Sequence, residues 1–467
     1  MEVSIKKKKN TNNSTAHFRK DIGLFGGISL VAGMVIGSGI YYLGTTVLER
    51  SGMSMGLALL CWIVGGIVSI LGGLCFAELG ASMPVAGGQT VYLSRAYHPL
   101  LGFINGFNLF CINGSGSTAA LAIASVAFLD GVMHLSSLTS KLLAILLIAA
   151  FTLINLVGVK KASYLQNFTM VFRLLPIVLI IVFGFAMGDV TPDLSLRHAF
   201  DDHSGITGAI SLVAFATFAS LWAFEGWTNM NSVAEELRNP KKNLPLSIII
   251  SLGTITIIYT IFNLAIYKVL PMDTISAMMA KGDLYLGSEV AVRLMGNVGY
   301  SLVLAGMIVG VLGTLNGGIL VFPRTYYAMA KDGYFPKSFA KLNSKGVPAN
   351  AIIASSVVAC ILVCLRDLDA LVNLVIFFQA ALNMLTVIGV LICRKKYPDI
   401  ERPYKVLGGI PIIMITAALF AILLINQLIT DPLNSLIGLV IPVIAVPVYF
   451  FFKKRNGGQD YSADNLE

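Results

Sequence analysis

Twelve apolar stretches divide the chain, roughly 22–48, 54–81, 98–128, 141–157, 162–187, 207–234, 245–268, 291–322, 349–365, 369–393, 408–429 and 434–452. A helix needs ~20 apolar residues to cross a hydrocarbon layer about 30 Å thick. Inside that layer the backbone must satisfy its own polar groups, and segments of this length do so as helices. The pattern predicts an all-α polytopic membrane protein with 12 transmembrane helices. Composition agrees: only 12% of the residues are charged, where a soluble domain carries about 25%.

Charge sets the orientation. With the N-terminus inside, the inner segments hold 25 Lys and Arg and the outer segments 7. The positive-inside rule then predicts both termini on the cytoplasmic face of a multi-pass protein of the cell (plasma) membrane, of a bacterial kind. The net charge of +9 needs no nucleic acid to explain it. Lys6 to Lys9 read as an anchor near anionic lipid, followed by a polar, disordered tail and no cleavable signal. The six cysteines fall in helices or at a cytoplasmic end, with no pair placed for an external disulfide. Arg173 lies within a span and reads as paired or snorkelled, not as a substrate ligand.

The first span contains Gly33-Met34-Val35-Ile36-Gly37-Ser38-Gly39-Ile40. Each interior glycine costs a helix roughly 0.5–1 kcal/mol relative to alanine. A broken helix is tolerated in a membrane only where the freed groups are buried in protein or line a watery cavity. The sixth span repeats the peculiarity. Its middle reads Ser220-Leu221-Trp222-Ala223-Phe224-Glu225-Gly226-Trp227-Thr228-Asn229, with a carboxylate and a glycine between two tryptophans. The first and sixth helices correspond if helices 1–5 and 6–10 are two copies of one unit. A unit of five helices ends on the opposite face from its start, so the second copy enters upside down. The expected organisation is a disordered tail 1–20, a first five-helix repeat 21–190, an inverted second repeat 205–395, helices 11 and 12 in 405–453, and a cytoplasmic tail 454–467. Residues 84–93 are too short to span and read as a re-entrant or interfacial segment. The loop 323–348 is expected to carry a short amphipathic helix on the cytoplasmic face.

The break has a chemistry. A half-helix starting at Gly37-Ser38-Gly39 presents amide N–H groups without intrahelical acceptors, at the positive end of its dipole. Such an end binds anions, and a carboxylate suits it. The half-helix ending near Val35 presents carbonyls, as does the backbone of Trp222 to Glu225, and these suit an ammonium. A free α-amino acid carries both charges on adjacent atoms. The competing explanation is close helix packing through small residues, which the matched break in helix 6 makes less apt.

These residues, with the cytoplasmic run Glu235-Glu236-Leu237-Arg238-Asn239-Pro240, Gly158-Val159-Lys160, Asn316-Gly317 to Arg324, and Tyr397-Pro398-Asp399-Ile400-Glu401-Arg402-Pro403, resemble the amino acid–polyamine–organocation (APC) transporters. Within that superfamily the chain is most similar to the L-amino acid transporter family and its bacterial alanine/serine/cysteine and serine/threonine exchangers. The resemblance implies a substrate carboxylate held at Gly37, Ser38, Gly39 and Ile40. It implies an ammonium received by the carbonyls of Val35, Trp222, Ala223 and Glu225, with Trp222 as the outer gate. Glu225 and Thr228 would face the side-chain pocket, Glu225 either attracting cationic side chains or bracing the break. Lys160 would match a helix 5 lysine that stands where sodium-coupled relatives bind a cation, making transport sodium-independent. Animal members with a heavy subunit carry a cysteine after helix 3; residues 130–140 contain none, so no disulfide-linked partner is expected.

The functional expectation is a sodium-independent exchanger (antiporter) of small neutral L-amino acids such as alanine, serine, cysteine or threonine, working by alternating access. Proton-coupled or cationic amino acid transport is the alternative within the class, and an amino-acid sensor on a transporter fold the alternative outside it. No catalytic constellation, metal site or cofactor motif is read: the five histidines lie outside the spans or at their ends, and no phosphate-binding loop or HExxH appears.

Overall fold

A computed structural model describes residues 20–37, 39–133, 135–196, 206–281, 285–365, 368–430, 432 and 440–456. The elements are helical throughout this part of the chain. Among the described residues, nine helical segments are long and apolar enough to cross a membrane, and Leu24–Val35 and Ala349–Leu365 are shorter apolar helices. The first span is two helices, α1 (Leu24–Val35) and α2 (Gly39–Arg50), separated by the expected break. The second is α3 (Met55–Ser82). The segment expected to be re-entrant holds a short buried helix, α4 (Gln89–Ala96). The third span runs from α5 (Pro99–Asn108) through one π turn (Leu109–Asn113) into α6 (Gly114–Met133). Next come α7 (Ser137–Val157) and α8 (Val159–Met187).

The sixth span repeats the division of the first. Helix α9 (Ile206–Phe224) is followed at Glu225–Gly226 by a turn and then by a 3₁₀ segment, Trp227–Glu236. Helix α10 (Pro240–Val269) and an outlying α11 (Met272–Ala280) lead to α12 (Leu286–Lys331). The chain ends with α13 (Ala349–Leu365), α14 (Leu368–Lys396), α15 (Gly409–Thr430) and α16 (Val440–Asn456).

Helix α12 corrects the sequence reading. It continues past 322 to Lys331 and takes up the stretch expected to be a loop with a surface helix. Pro323, Arg324, Thr325 and Tyr326 are all buried. The only other helix between 332 and 348 among the described residues is the 3₁₀ turn Lys337–Ala340. Proline does not end α12 because its neighbours bury that turn and tertiary packing outweighs local propensity.

Packing follows from small residues on α3. A Cβ at Gly66 would meet the Thr256 side chain at 2.3 Å, and one at Gly73 would meet Ile248 Cγ2 at 2.8 Å. Bare glycine faces let α3 and α10 approach closely, the usual device where helices gain little from burial in lipid. Helix α1 packs on α10, and α9 packs on α3, so each broken helix leans its first half on the helix that follows the other break.

On the side of the N-terminal residues, Ile22 N donates to Glu236 O at 3.0 Å and Arg238 N donates to Ile22 O at 2.8 Å, a parallel bridge between the starts and ends of the two broken spans. Arg324 Nε donates to Glu236 Oε1 at 2.6 Å, both side chains being almost fully enclosed. Glu78 accepts from Arg394 Nη2 at 2.6 Å and from Val406 N at 2.7 Å. A buried ion pair is costly to break from one side, by about 3–5 kcal/mol, because the other charge is left uncompensated. Arg324→Met should therefore lower the thermal unfolding midpoint in detergent sharply. Combining it with Glu236→Gln should recover part of the loss; a double variant no more stable than the single one would show that the pair does not carry this stability.

Candidate functional site

The first break is short. Helix α1 ends at Val35, Ile36 turns out of the helix (φ −76, ψ 85), and Gly37 N donates back to Val35 O at 2.9 Å. Helix α2 begins at Gly39. Ser38, expected at the centre of the site, lies outside the described residues. In the second break Gly226 has φ 118, a left-handed conformation open to glycine. A Cβ there would stand 2.9 Å from Met34 O, and one at Gly39 would stand 3.2 Å from Ala223 Cα. The two interruptions are thus in backbone contact.

Freed carbonyls in this region need donors. The hydroxyl of Tyr259, on α10, lies 3.1 Å from both Val35 O and Ala223 O and is shared between the two breaks. With the Gly37 amide also bonded, Val35 O has both lone pairs engaged. Arg173 supplies the rest. Its Nη1 donates to Gly33 O at 2.5 Å and to Ile36 O at 2.6 Å, and it reaches Thr314 Oγ1 at 3.3 Å. Thr314 Oγ1 also donates to Gly33 O at 3.1 Å. Gly313 makes room, since a Cβ there would fall 1.8 Å from Arg173 Nη2.

This rules out the snorkelled alternative for Arg173 and gives the paired one backbone carbonyls as partners. Its side chain is fully buried, and its charge is balanced by the carbonyl end of α1, where the helix dipole is negative. It acts through the backbone of the break and belongs to the site's framework. Lys160, the cation expected there, lies in the first turn of α8. Arg173 is thirteen residues further on, about 20 Å along the helix at 1.5 Å per residue. The Lys160 side chain lies outside the described residues.

A cavity of about 1270 Å³, its mouth included, opens at the two breaks. Val35, Gly37 and Gly39 line it from the first, and Trp222, Ala223, Glu225 and Thr228 from the second. The structure therefore brings together seven of the residues singled out from sequence. Ile40 is an exception, being buried at 1% exposure and turned into the core rather than the cavity lining. A second, smaller cavity of about 470 Å³, its opening included, lies against the first. Trp222, Glu225 and Gln379 line both and form the partition.

Sequence reasoning missed the opposite wall, a chain of buried amides from three elements. Gln89 Nε2, on α4, donates to Asn383 Oδ1 at 3.0 Å and Thr386 Oγ1 at 3.1 Å, on α14. Gln379 Nε2 donates to Gln89 Oε1 at 3.0 Å and to Asn383 Oδ1 at 3.1 Å. Asn113 Nδ2, at the π turn, donates to Gln379 Oε1 at 2.9 Å. A π turn inside a membrane helix often marks a functional position. The signal available beforehand was the placement of Asn and Gln inside apolar spans; which face they occupy was not readable.

Comparison with known proteins agrees with this architecture. The Amino acid permease family matches residues 22–452. The serine/threonine exchanger SteT of Bacillus subtilis (strain 168) is 32% identical over 94% of this chain and 98% of its own length. The b(0,+)-type amino acid transporter 1 of Mus musculus is 30% identical over 94% of this chain and 89% of its own. The large neutral amino acids transporter small subunit 2, also of Mus musculus, is 31% identical over 92% of this chain and 81% of its own. A match spanning both broken helices and the core around them, together with relatives of this identity, makes the chain a member of the amino acid permease family of the APC superfamily.

Proposed function

We propose that the protein is a sodium-independent exchanger of small neutral L-amino acids, alanine, serine, cysteine or threonine among them, working by alternating access. The observation that carries this reading is the meeting of two broken helices, in backbone contact, at one cavity. The start of α2 offers N–H groups at a positive dipole end, and the breaks offer carbonyls, so the pair is complementary to a zwitterion. The substrate carboxylate sits at the amides of 37–40. Its ammonium is received by the carbonyls of Trp222, Ala223 and Glu225, that of Ala223 being shared with Tyr259, while Val35 O is held by Tyr259 and the Gly37 amide. Trp222 closes the partition as a gate, and Glu225 with Thr228 faces the substrate side chain. Exchange also accords with a relative named as a serine/threonine exchanger.

Arg173 takes the part first expected of Lys160. A guanidinium resting on Gly33 O, Ile36 O and Thr314 occupies carbonyls and a hydroxyl that could otherwise coordinate a hard cation. That supports transport without sodium. The charge distribution supports cytoplasmic termini in the plasma membrane of a bacterium. The lack of cysteine in 130–140 supports function without a disulfide-linked heavy subunit. The two breaks correspond as positions one and six of two inverted five-helix repeats, 21–190 and 205–395.

Purified protein in liposomes tests the exchange. Labelled alanine or serine should enter quickly only when the vesicles are preloaded with unlabelled amino acid, and replacing sodium by choline should change nothing. Equal uptake into empty vesicles would refute exchange. Arg173→Met leaves Ile36 O without a donor and Gly33 O with that of Thr314 alone, and an unpaired buried carbonyl costs about 1–3 kcal/mol, so the transport rate should fall at least about tenfold. Lys160→Ala should stay within about twofold of the parent. The reverse ranking would return the cation role to Lys160.

A further inference from the structure

The two breaks read the charged ends of an amino acid and leave its side chain unread. The partition between the two cavities stands beside them. Its hydrogen-bonding capacity is incompletely used. Asn383 is 3% exposed, its Oδ1 accepts from Gln89 and Gln379, and its Nδ2 donates to no group among the described residues. It lines the smaller cavity with Ser69, Glu225 and Gln379. Asn113 is 8% exposed, lines the larger cavity and uses one N–H, on Gln379, leaving its Oδ1 without a donor among the described residues. No Lys or Arg among the described residues forms an ion pair with Glu225.

An amide donor without a protein partner that is not sealed in the core is free to meet a ligand group at the cavity it lines. The two glutamines are satisfied: both N–H groups of Gln89 and both of Gln379 are already bonded. The open valences at the partition therefore lie at fixed places, a donor pair on Asn383 and acceptors on Glu225, with those of Asn113 on the larger cavity beside them. A carboxamide has one acceptor oxygen and one donor NH₂ and matches that set. A guanidinium or ammonium has donors only and would leave the Asn383 N–H groups facing other N–H groups. An apolar side chain would leave both kinds of group unpaired.

We infer that the Glu225–Gln379 partition, with Asn383 behind it, is a side-chain subsite for neutral carboxamide amino acids, asparagine or glutamine. This deepens the exchanger reading and rests on it. The substrate backbone stays at the breaks, and its side chain passes the partition toward the smaller cavity. The carboxamide NH₂ donates to Glu225, and its oxygen accepts from Asn383 Nδ2.

The test is competition against labelled serine exchange in proteoliposomes of the full-length protein. Glutamine should compete at least about tenfold better than methionine, which has a side chain of similar length without the amide. In Asn383→Leu the glutamine-to-methionine ratio, measured within the same variant, should collapse toward one. Thermal stabilisation of the purified parent by each amino acid gives a second ranking that needs no active variant, and glutamine should stabilise more than methionine. Equal competition and equal stabilisation by methionine and glutamine, with serine exchange intact, would overturn the subsite and leave the exchanger standing. Arginine competing as well as glutamine in the parent, with that competition lost in Glu225→Gln, would replace it by a cationic subsite. Absence of any amino acid exchange in the parent would overturn the exchanger reading and the subsite with it.

Discussion

Hydrocarbon offers no hydrogen bonds, and a helix interrupted inside it must find donors for every carbonyl it releases. The whole site can be understood as the response to that constraint. Breaking the first span frees the carbonyls of Gly33, Val35 and Ile36; breaking the sixth frees that of Ala223. Tyr259 bridges the two breaks with one hydroxyl, and Arg173 with Thr314 covers the other two carbonyls. Helices α8, α10 and α12 thereby all send a side chain to the same few backbone atoms. Gly37 and Gly39 at the first break, and Trp222, Ala223 and Glu225 at the second, line the cavity.

A buried guanidinium would normally be balanced by a carboxylate, as Arg324 is by Glu236. Arg173 is balanced by carbonyl dipoles instead. The difference matters for binding. A carboxylate beside the first break would compete with the substrate's own carboxylate and repel it; partial charges on carbonyls neutralise the cation locally without presenting a full negative charge. Among the described residues of the cavity lining the acidic side chain is that of Glu225, which belongs to the other break and stands at the partition.

The breaks were legible because glycine and mid-span carboxylate are improbable in an apolar helix, and local composition reports them directly. Gly37, Gly39, Trp222, Ala223, Glu225 and Thr228 all line the cavity for that reason. Arg173 and Tyr259 were not legible in their roles. Each acts across more than thirty residues of sequence, Tyr259 on Ala223 and Arg173 on Gly33, and no periodicity tells which carbonyl a long side chain will meet. The amide wall failed to appear for the same reason: Gln89 and Asn383 are joined only once α4 lies against α14. The extension of α12 was hidden by Pro323, read as a boundary although the surrounding helices bury it.

The two half-elements on the side of the N-terminal residues, Leu24–Val35 and Trp227–Glu236, are held to each other at both ends. At one end Ile22 pairs with Glu236 and Arg238 through the backbone. At the other, Gly226 lies so close to Met34 that no Cβ fits between them. Separating these halves would expose backbone groups at the outer end and open an interface at the break. Moving them together keeps both contacts, and the bonds that link them to α10 and α12 are then those of Tyr259 and Ser251 on α10 and of Thr314, Arg324 and Thr325 on α12. The economical hinge is therefore at the breaks themselves, where the chain is already out of its helix, and the atoms that would flex are the same atoms proposed to hold the substrate.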